Sequence, residues 1–255
     1  MLRHSLTGYG LMCFVNADET RRSGAWKPDY SAAVLAVNRS MIDCFYNITV
    51  LMRFPEKRYA FRESGYKLAL EALKAEEEKY RGKRGWPAYI KQQRDFLRIS
   101  MGADGITPAE VEAAEWWPTL SGYLRVRKGT VLTPHQEFLK KLTFVFWKEY
   151  SAMTHAVFQG LMPTAVFYIP GMIPHDLREH FDNEVVERFI STHLSRSAAI
   201  LLCTITEIQA EFRFFDEARI NERLLDVWKA LLRVEAVKEL YDARYKQLMR
   251  EKGIA

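Results

Sequence analysis

An all-α fold, arranged as a single bundle of about seven to nine helices, is the fold class that this sequence predicts. Apolar residues recur at helical spacing along most of the chain, and no stretch keeps the apolar–polar alternation of a half-buried strand. The chain has 255 residues, of which 48% are hydrophobic and 27% are charged. This composition is that of a folded globular protein, and the length suffices for one large helical domain or two small ones.

The order of the helices follows from local start and stop signals. Asp29 or Ser31 can cap the first helix, and Pro55 ends it. Capping boxes at Thr107 and Thr133, each followed by a proline at the first helical position, open two further helices. In chain order, the predicted helices cover about 30–54, 56–80, 86–99, 108–117, 134–159, 182–215 and 221–234, the last one capped by Asn221, and a charged amphipathic segment follows at 235–252.

We expect one helical domain over residues 1–255. Residues 1–29 form an N-terminal extension, in which two glycines interrupt a stretch that only faintly resembles a signal peptide, so we expect no cleaved leader. Residues 160–181 contain three prolines and form a segment that crosses the bundle. Residues 216–255 form a C-terminal helical hairpin, which either closes the bundle or pairs with a partner.

Charge and cysteine content narrow the class of protein. The chain has 37 Lys and Arg against 32 Asp and Glu, and this small excess permits an anionic partner without requiring one. The three cysteines lack the spacing of a disulfide framework or a zinc site, which fits a cytoplasmic protein. Charged residues and prolines interrupt the longest apolar stretch, at 142–173, so we expect no membrane-spanning helix.

Several kinds of chemistry have no counterpart in the sequence. No glutamate stands three residues before a histidine, as the di-iron helical bundles require, and there is no H-E-x-x-H or C-x-x-C motif. There is also no glycine-rich phosphate loop and no G-x-S-x-G motif. We therefore expect no metal site and no cofactor.

A polar stripe crosses the otherwise apolar first helix. Arg39, Asp43 and Asn47 follow one another at intervals of four residues, so they occupy one narrow face. The residues around them are largely apolar, which is typical of a central helix. Two interpretations remain open: a thin solvated face that carries an Arg39–Asp43 ion pair, or the wall of a pocket.

A second candidate group lies on the helix that follows Thr133. Ser151 and His155 are four residues apart and share a face with aromatic side chains. A histidine in such surroundings can do acid–base work near neutral pH, although a lone histidine is more often a packed core residue. The pocket interpretation places Arg39 and Asp43 against His155.

A third group lies on the long helix at 182–215. Arg188 belongs to its polar face, whereas His193 lies about 140° away among apolar residues, by the rotation of an α-helix. Ser197 is one turn beyond His193, so these two predict a buried polar pair. Buried polar groups need hydrogen-bond partners, which His155 or the Arg39 stripe could supply.

Two resemblances follow from these motifs. The Arg39-x-x-x-Asp43 helix together with Ser151-x-x-x-His155 resembles an uncharacterised bacterial all-helical family, and this resemblance implies a fold class rather than an activity. More distantly, Arg188 and His193, separated by four residues, resemble the Arg…His motif of HEPN-type helical ribonucleases of bacterial defence and toxin systems. The chain departs from that motif at Phe189, where the family usually has a polar residue.

The sequence therefore supports two hypotheses from different classes. The HEPN resemblance implies a metal-independent ribonuclease or related phosphodiesterase, in which His193 is the acid or base toward a ribose hydroxyl and Arg188 stabilises phosphate charge. Arg39, Asp43 and His155 are further catalytic candidates, and Asn47, Ser151 and Ser197 are binding candidates. The alternative is a non-enzymatic helical sensor or scaffold, whose partner is a small ligand or a protein, including a second copy of the chain. RNA is the partner expected under the first hypothesis.

Overall fold

A computed structural model of the chain describes residues 1–15, 29–125, 131–148, 150–151, 178–213 and 217–254, with residues 15, 29–34 and 178–191 described by their backbone alone. The protein is an all-α multi-helix bundle, as predicted, and these residues contain no strand. If 235–251 is counted as one run, eight helical runs of at least seven residues occur in the described ranges. None of the described helices is both long and apolar enough to cross a membrane.

The helices follow one another with short connections. In chain order they are α1 (Leu2–Val15), α2 (Asp29–Arg53), α3 (Arg58–Lys79), α4 (Trp86–Ala103), α5 (Pro108–Ala113), α6 (Leu120–Tyr123), α7 (Pro134–Leu142), α8 (Arg178–Phe212), α9 (Glu217–Leu231), α10 (Glu235–Leu240) and α11 (Lys246–Glu251). A 3₁₀ turn, Pro55–Lys57, precedes α3. Two π-helical turns, Thr143–Trp147 and Tyr241–Tyr245, continue α7 and α10.

The chain divides into two compact units. The first comprises Met1–Thr49 and Leu124–Ala255, and the second comprises Val50–Tyr123. The expectation of one domain over 1–255 stays a prediction, and each unit is described by itself below.

Both predicted capping boxes are present. The Thr107 hydroxyl accepts from the Glu110 backbone N–H at 3.3 Å, and the Glu110 carboxylate accepts from the Thr107 N–H at 2.7 Å. Thr133 and Gln136 make the equivalent pair, at 3.2 and 3.0 Å. Each box satisfies backbone donors that have no partner inside the helix, which fixes where α5 and α7 begin.

Two predicted helix boundaries were wrong, and one helix was not predicted. Asn221 does not cap a helix, because α9 begins at Glu217 and Asn221 lies inside it. Its buried side chain instead accepts a hydrogen bond from Gln209 of α8 at 2.9 Å, a tertiary contact. The helix after Thr107 ends at Ala113 rather than near Trp117. The N-terminal extension contains a helix, α1, which the sequence analysis did not predict.

Aromatic rings and one ion pair lie in the core of the first unit, among buried aliphatic side chains. Trp228 stacks on Tyr245 with ring centroids 5.0 Å apart, and Phe138 meets Tyr245 edge-on at 5.4 Å. Glu207 of α8 accepts two hydrogen bonds from the guanidinium of Arg244, and both side chains are almost fully buried. This bidentate geometry satisfies both charges where water is excluded.

The second unit packs α3 against α4 and α5. Met101, Ile106 and Val111 form its small buried core, with Tyr66 beside them. The Asp104 carboxylate accepts from Arg62 at 2.7 Å and from the Tyr66 hydroxyl at 2.8 Å, which links the end of α4 to α3.

Candidate functional site

The predicted polar stripe on α2, formed by Arg39, Asp43 and Asn47, is only partly exposed. Arg39 Nε is 3.1 Å from Asp43 Oδ2, so the i,i+4 ion pair is present. The Arg39 side chain is 17% exposed and that of Asp43 is 38% exposed, and Asn47 is half-buried on the same face. The stripe is therefore neither a fully solvated face nor a sealed pocket wall.

Arg39 makes its closest contacts with the segment that follows α7. Its guanidinium carbon lies 4.1 Å from the ring centre of Trp147, in a cation–π contact. Its Nη1 also donates to the Ser151 hydroxyl at 3.3 Å. The structure thus brings together Arg39 and Ser151, two of the predicted site residues, and adds a tryptophan that the sequence analysis did not single out.

Burial outweighs the ion pair in its effect on the pKa of Asp43. Burial raises the pKa of Asp43 above its usual value, and the nearby charge of Arg39, with contacts from Arg39 and Trp147, opposes that rise only in part. A carboxylate with a raised pKa beside an arginine that also stacks on an indole is consistent with a positioned polar cluster.

A second polar network is sealed inside the first unit. Asn38 Nδ2 donates to the Tyr150 hydroxyl at 3.2 Å and to the His193 carbonyl at 3.3 Å. The Ser197 hydroxyl contacts Asn38 Oδ1 and donates to the His193 carbonyl at 2.7 Å. Tyr150 Oη is 3.3 Å from His193 Nδ1. At most 3% of any of these four side chains is exposed.

This network gives His193 the properties of a structural residue. Burial, and then the positive charge of Arg196, lower the pKa of His193 from 6.5 to about 3. Since Asn38 donates to the Tyr150 oxygen, the phenol hydrogen is the donor in the hydrogen bond between Tyr150 Oη and His193 Nδ1. The imidazole is therefore neutral at physiological pH, and its Nδ1 accepts a hydrogen bond within the core.

Two predicted catalytic residues cannot be placed against these networks. His155 lies outside the described residues. Arg188 lies within α8, but its side chain lies outside the described part as well. The meeting of Arg39 and Asp43 with His155, and that of Arg188 with His193, therefore stay predictions.

Asn38, which joins the buried network, was not among the predicted site residues. The buried His193–Ser197 pair was expected to need partners, and these partners are Asn38 and Tyr150. Asn38 precedes Arg39 in a largely apolar helix. Because a buried amide needs hydrogen-bond partners, its presence there was the signal that could have indicated a buried network. The sequence does not show which face of α2 meets α8. It therefore could not indicate that Asn38 is buried while the adjacent Arg39 is partly exposed.

An apolar groove of about 720 Å³ opens on the surface of the first unit. Ten side chains line it: Tyr9 from α1, four residues from α8 and five from α9. The α8 residues are Ala198, Leu201, Leu202 and Ile205, which recur at the spacing of one helical face. The α9 residues include Arg219 and Arg223, which are the only charged side chains among the described residues of the lining.

Comparison with protein-family models, with curated proteins and with solved structures found no match for this chain. Within the described ranges, no three His, Cys, Asp or Glu side chains come together as a metal-binding group. Functional inference therefore rests on the two polar clusters and the groove.

Proposed function

We propose that this protein is a non-enzymatic helical binding module that senses or carries a small apolar ligand in the groove between α1, α8 and α9. The groove itself is the observation that supports the proposal. Its volume, about 720 Å³, lies within the range of small-molecule sites, and its walls are mostly apolar with a few polar groups. A second cavity of about 610 Å³ lies in the other unit, but there Arg62 and Asp104 already form an ion pair with each other.

The groove has a buried floor and a partly exposed wall. Leu202 and Leu224 are almost fully buried beneath it, whereas the Val227 side chain is 45% exposed. Water that contacts such a wall is displaced when a ligand enters, and burial of apolar surface contributes roughly 25 cal/mol per Å². An exposed apolar wall is therefore a source of binding free energy.

Buried hydrogen bonds hold the two long walls together. The Trp228 indole of α9 donates to the Thr206 hydroxyl of α8 at 3.1 Å. Gln209 of α8 donates to Asn221 of α9 at 2.9 Å. Because both contacts are buried, the spacing of α8 and α9 is fixed before a ligand arrives, which lowers the ordering cost of binding.

The ribonuclease hypothesis receives less support from the described residues. Its proposed acid or base, His193, is buried, has a pKa of about 3 and is hydrogen-bonded to Tyr150. A group that is inaccessible to a ribose hydroxyl cannot transfer its proton there. An RNA cleavage assay that compares the wild-type protein with His193→Ala tests this hypothesis directly, and cleavage lost on substitution would support it.

A groove-filling substitution tests the binding proposal. Ala198→Trp places an indole over the apolar wall of α8, and Ala218→Trp adds the same side chain at an exposed position of α9 outside the lining. Binding is measured by the fluorescence of Nile red, an uncharged apolar dye. We expect the wild type and Ala218→Trp to bind the dye alike and Ala198→Trp to bind it at least about tenfold more weakly.

Two results would contradict the binding proposal. One is the absence of Nile red binding by the folded wild-type protein. The other is equal affinity in Ala198→Trp and Ala218→Trp. Circular dichroism of both variants shows whether either substitution has unfolded the bundle.

A further inference from the structure

We propose that the groove of the first unit selects a single-chain amphiphile with a carboxylate head, and that Arg219 and Arg223 bind this head. The inference rests on the proposed binding function and names its ligand class. Arg219 and Arg223 lie one turn apart on α9, and both line the groove and are exposed. Residues at this spacing share one face of a helix, so the two guanidinium groups act on the same end of a bound molecule.

The described lining of the groove offers the two arginines no counter-charge. No acidic side chain belongs to this part of the lining. Neither arginine forms an ion pair or hydrogen bond within the described part of the chain. Glu217 interacts with Arg213 at 3.7 Å, and Glu222 and Asp226 are exposed outside the lining. Two like charges at i,i+4 repel each other, and an anion between them removes that repulsion.

The chemistry of the two arginines selects a carboxylate. A guanidinium is a planar fork that donates two parallel hydrogen bonds to a carboxylate, which a point charge such as lysine cannot do. The phenol of Tyr9, whose pKa is raised by burial and by a hydrogen bond with the Cys13 side chain, also lines the groove and adds no negative charge there. The anionic head is thus matched by charge and by hydrogen-bond geometry.

The apolar wall selects the rest of the ligand. Leu201 and Ile205 of α8 face Ile220 and Val227 of α9 along the groove. A polyanion would leave this surface in water, and an uncharged alkane derivative would leave the arginines without a partner. A hydrocarbon chain that ends in one carboxylate satisfies both parts, and the volume of about 720 Å³ holds one such molecule.

The test compares three probes that share one dodecyl chain: dodecanoate, 1-dodecanol and dodecyltrimethylammonium. Each displaces Nile red from the full-length protein below its micellar concentration. We expect dodecanoate to bind at least about tenfold more tightly than dodecanol, and the cation to bind most weakly. In the Arg219→Gln/Arg223→Gln variant, the affinity for dodecanoate should fall to that for dodecanol, whereas the affinity for dodecanol should be unchanged.

A matched double variant controls for the loss of net charge. Arg233→Gln/Arg250→Gln removes two exposed arginines that do not line the groove. This control should keep the wild-type preference for dodecanoate. Equal binding of dodecanoate and dodecanol by the wild type would overturn the inference, as would a preference that survives Arg219→Gln/Arg223→Gln.

The design separates failure of the ligand class from failure of the groove. If Nile red binds and is blocked by Ala198→Trp but dodecanoate has no advantage, the carboxylate inference is overturned and the binding function stands. If an acidic amphipathic peptide displaces Nile red and dodecanoate does not, the ligand class is likewise wrong. If Nile red does not bind at all, the binding function itself has failed.

Discussion

Helix α8 presents two faces with opposite properties, and adjacent residues belong to each. Ser197 is fully buried and hydrogen-bonded to Asn38 and to the carbonyl of His193, whereas its neighbour Ala198 lines the open groove. On the first face, polar groups satisfy one another and no water enters. On the second, apolar side chains form one wall of a groove that Arg219 and Arg223 of α9 also line. The first arrangement specifies how the helices pack, and the second is suited to bind something else.

The largest effect that would test this comparison is expected at Asn38. Asn38→Ala removes the amide that links Tyr150, Ser197 and the His193 carbonyl. Each buried group left without a partner costs about 1–3 kcal/mol, so we expect the free energy of unfolding to fall by about 3 kcal/mol. Urea denaturation measures this loss.

The same variant shows whether the two faces are independent. At a temperature where Asn38→Ala is folded, its affinity for Nile red should equal that of the wild type, because Asn38 does not line the groove. An unchanged free energy of unfolding, or an affinity that falls in parallel with stability, would contradict the separation of the two faces.

The next effect concerns pH. The pKa of His193 falls from 6.5 in the unfolded chain to about 3 in the fold, because of burial and then Arg196. Between these values the unfolded chain binds a proton that the folded chain does not, so stability decreases as the pH falls through 6.5 toward 3. The loss approaches about 1.4 kcal/mol per pH unit, or about 2 kcal/mol from pH 7 to pH 5.

Urea denaturation at both pH values measures the contribution of His193. His193→Gln should remove this part of the pH dependence, and His4→Gln, which changes an exposed imidazole, should not. The raised pKa of Asp43 acts in the opposite direction, so the comparison is repeated in an Asp43→Asn background. A His193→Gln protein with the wild-type pH dependence would show that this imidazole is not sealed.

A smaller effect is expected at the half-exposed stripe. Arg39→Lys keeps the positive charge but loses the planar stacking on Trp147 and the hydrogen bond to Ser151. We expect a loss of about 1 kcal/mol in the free energy of unfolding. Asp43→Asn removes only the ion pair of a 38% exposed carboxylate and should change stability by less than about 0.5 kcal/mol. The reverse order of the two losses would show that the ion pair, rather than the stacking, holds Arg39.

The smallest effect distinguishes two glycines of α1. A Cβ on Gly8 would lie 3.0 Å from Val37 and 3.2 Å from Met41 of α2, whereas one on Gly10 would meet nothing within 4 Å. Gly10→Ala should therefore stabilise the protein by about 0.5–1 kcal/mol, the usual helical advantage of alanine. Gly8→Ala should lose that gain to crowding. Thermal denaturation of both variants measures the difference, and equal shifts would mean that α1 does not approach α2 closely.

Local signals made part of this fold predictable. Thr107 and Thr133 were identified as helix starts because a capping box is built from residues three positions apart, and both boxes are present. Asn221 has the same chemistry as a cap, but its amide is used by Gln209 of another helix. A side chain that can cap locally or bond across the core gives no sign in the sequence of which partner it has.

The candidate site was predictable only in fragments. Arg39, Asp43 and Ser151 were identified from their spacing, and Arg39 does contact the other two. The Asn38–Tyr150–His193–Ser197 network joins residues up to 159 positions apart, and helical periodicity carries no information about such pairs. The groove was not predicted, because its walls come from three helices and one of them, α1, was taken for an extension.

The π-helical turn Thr143–Trp147 has a consequence for how this chain tolerates length changes. A π turn holds one residue more than an α turn, and each residue of a helix rotates the next by about 100°. Tyr150 and Ser151 follow this turn, and they contact Asn38 and Arg39 respectively. Because the π turn absorbs its extra residue, a one-residue deletion at 143–147 that restored a regular α-helix would leave both side chains facing as they do now. A one-residue deletion in the regular helix α7 would instead turn both side chains away together by about 100°. The contacts of the buried network and of the half-exposed stripe therefore both depend on the rotation of the helix that carries Tyr150 and Ser151. A deletion in α7 would disturb both, although it removes no residue of either.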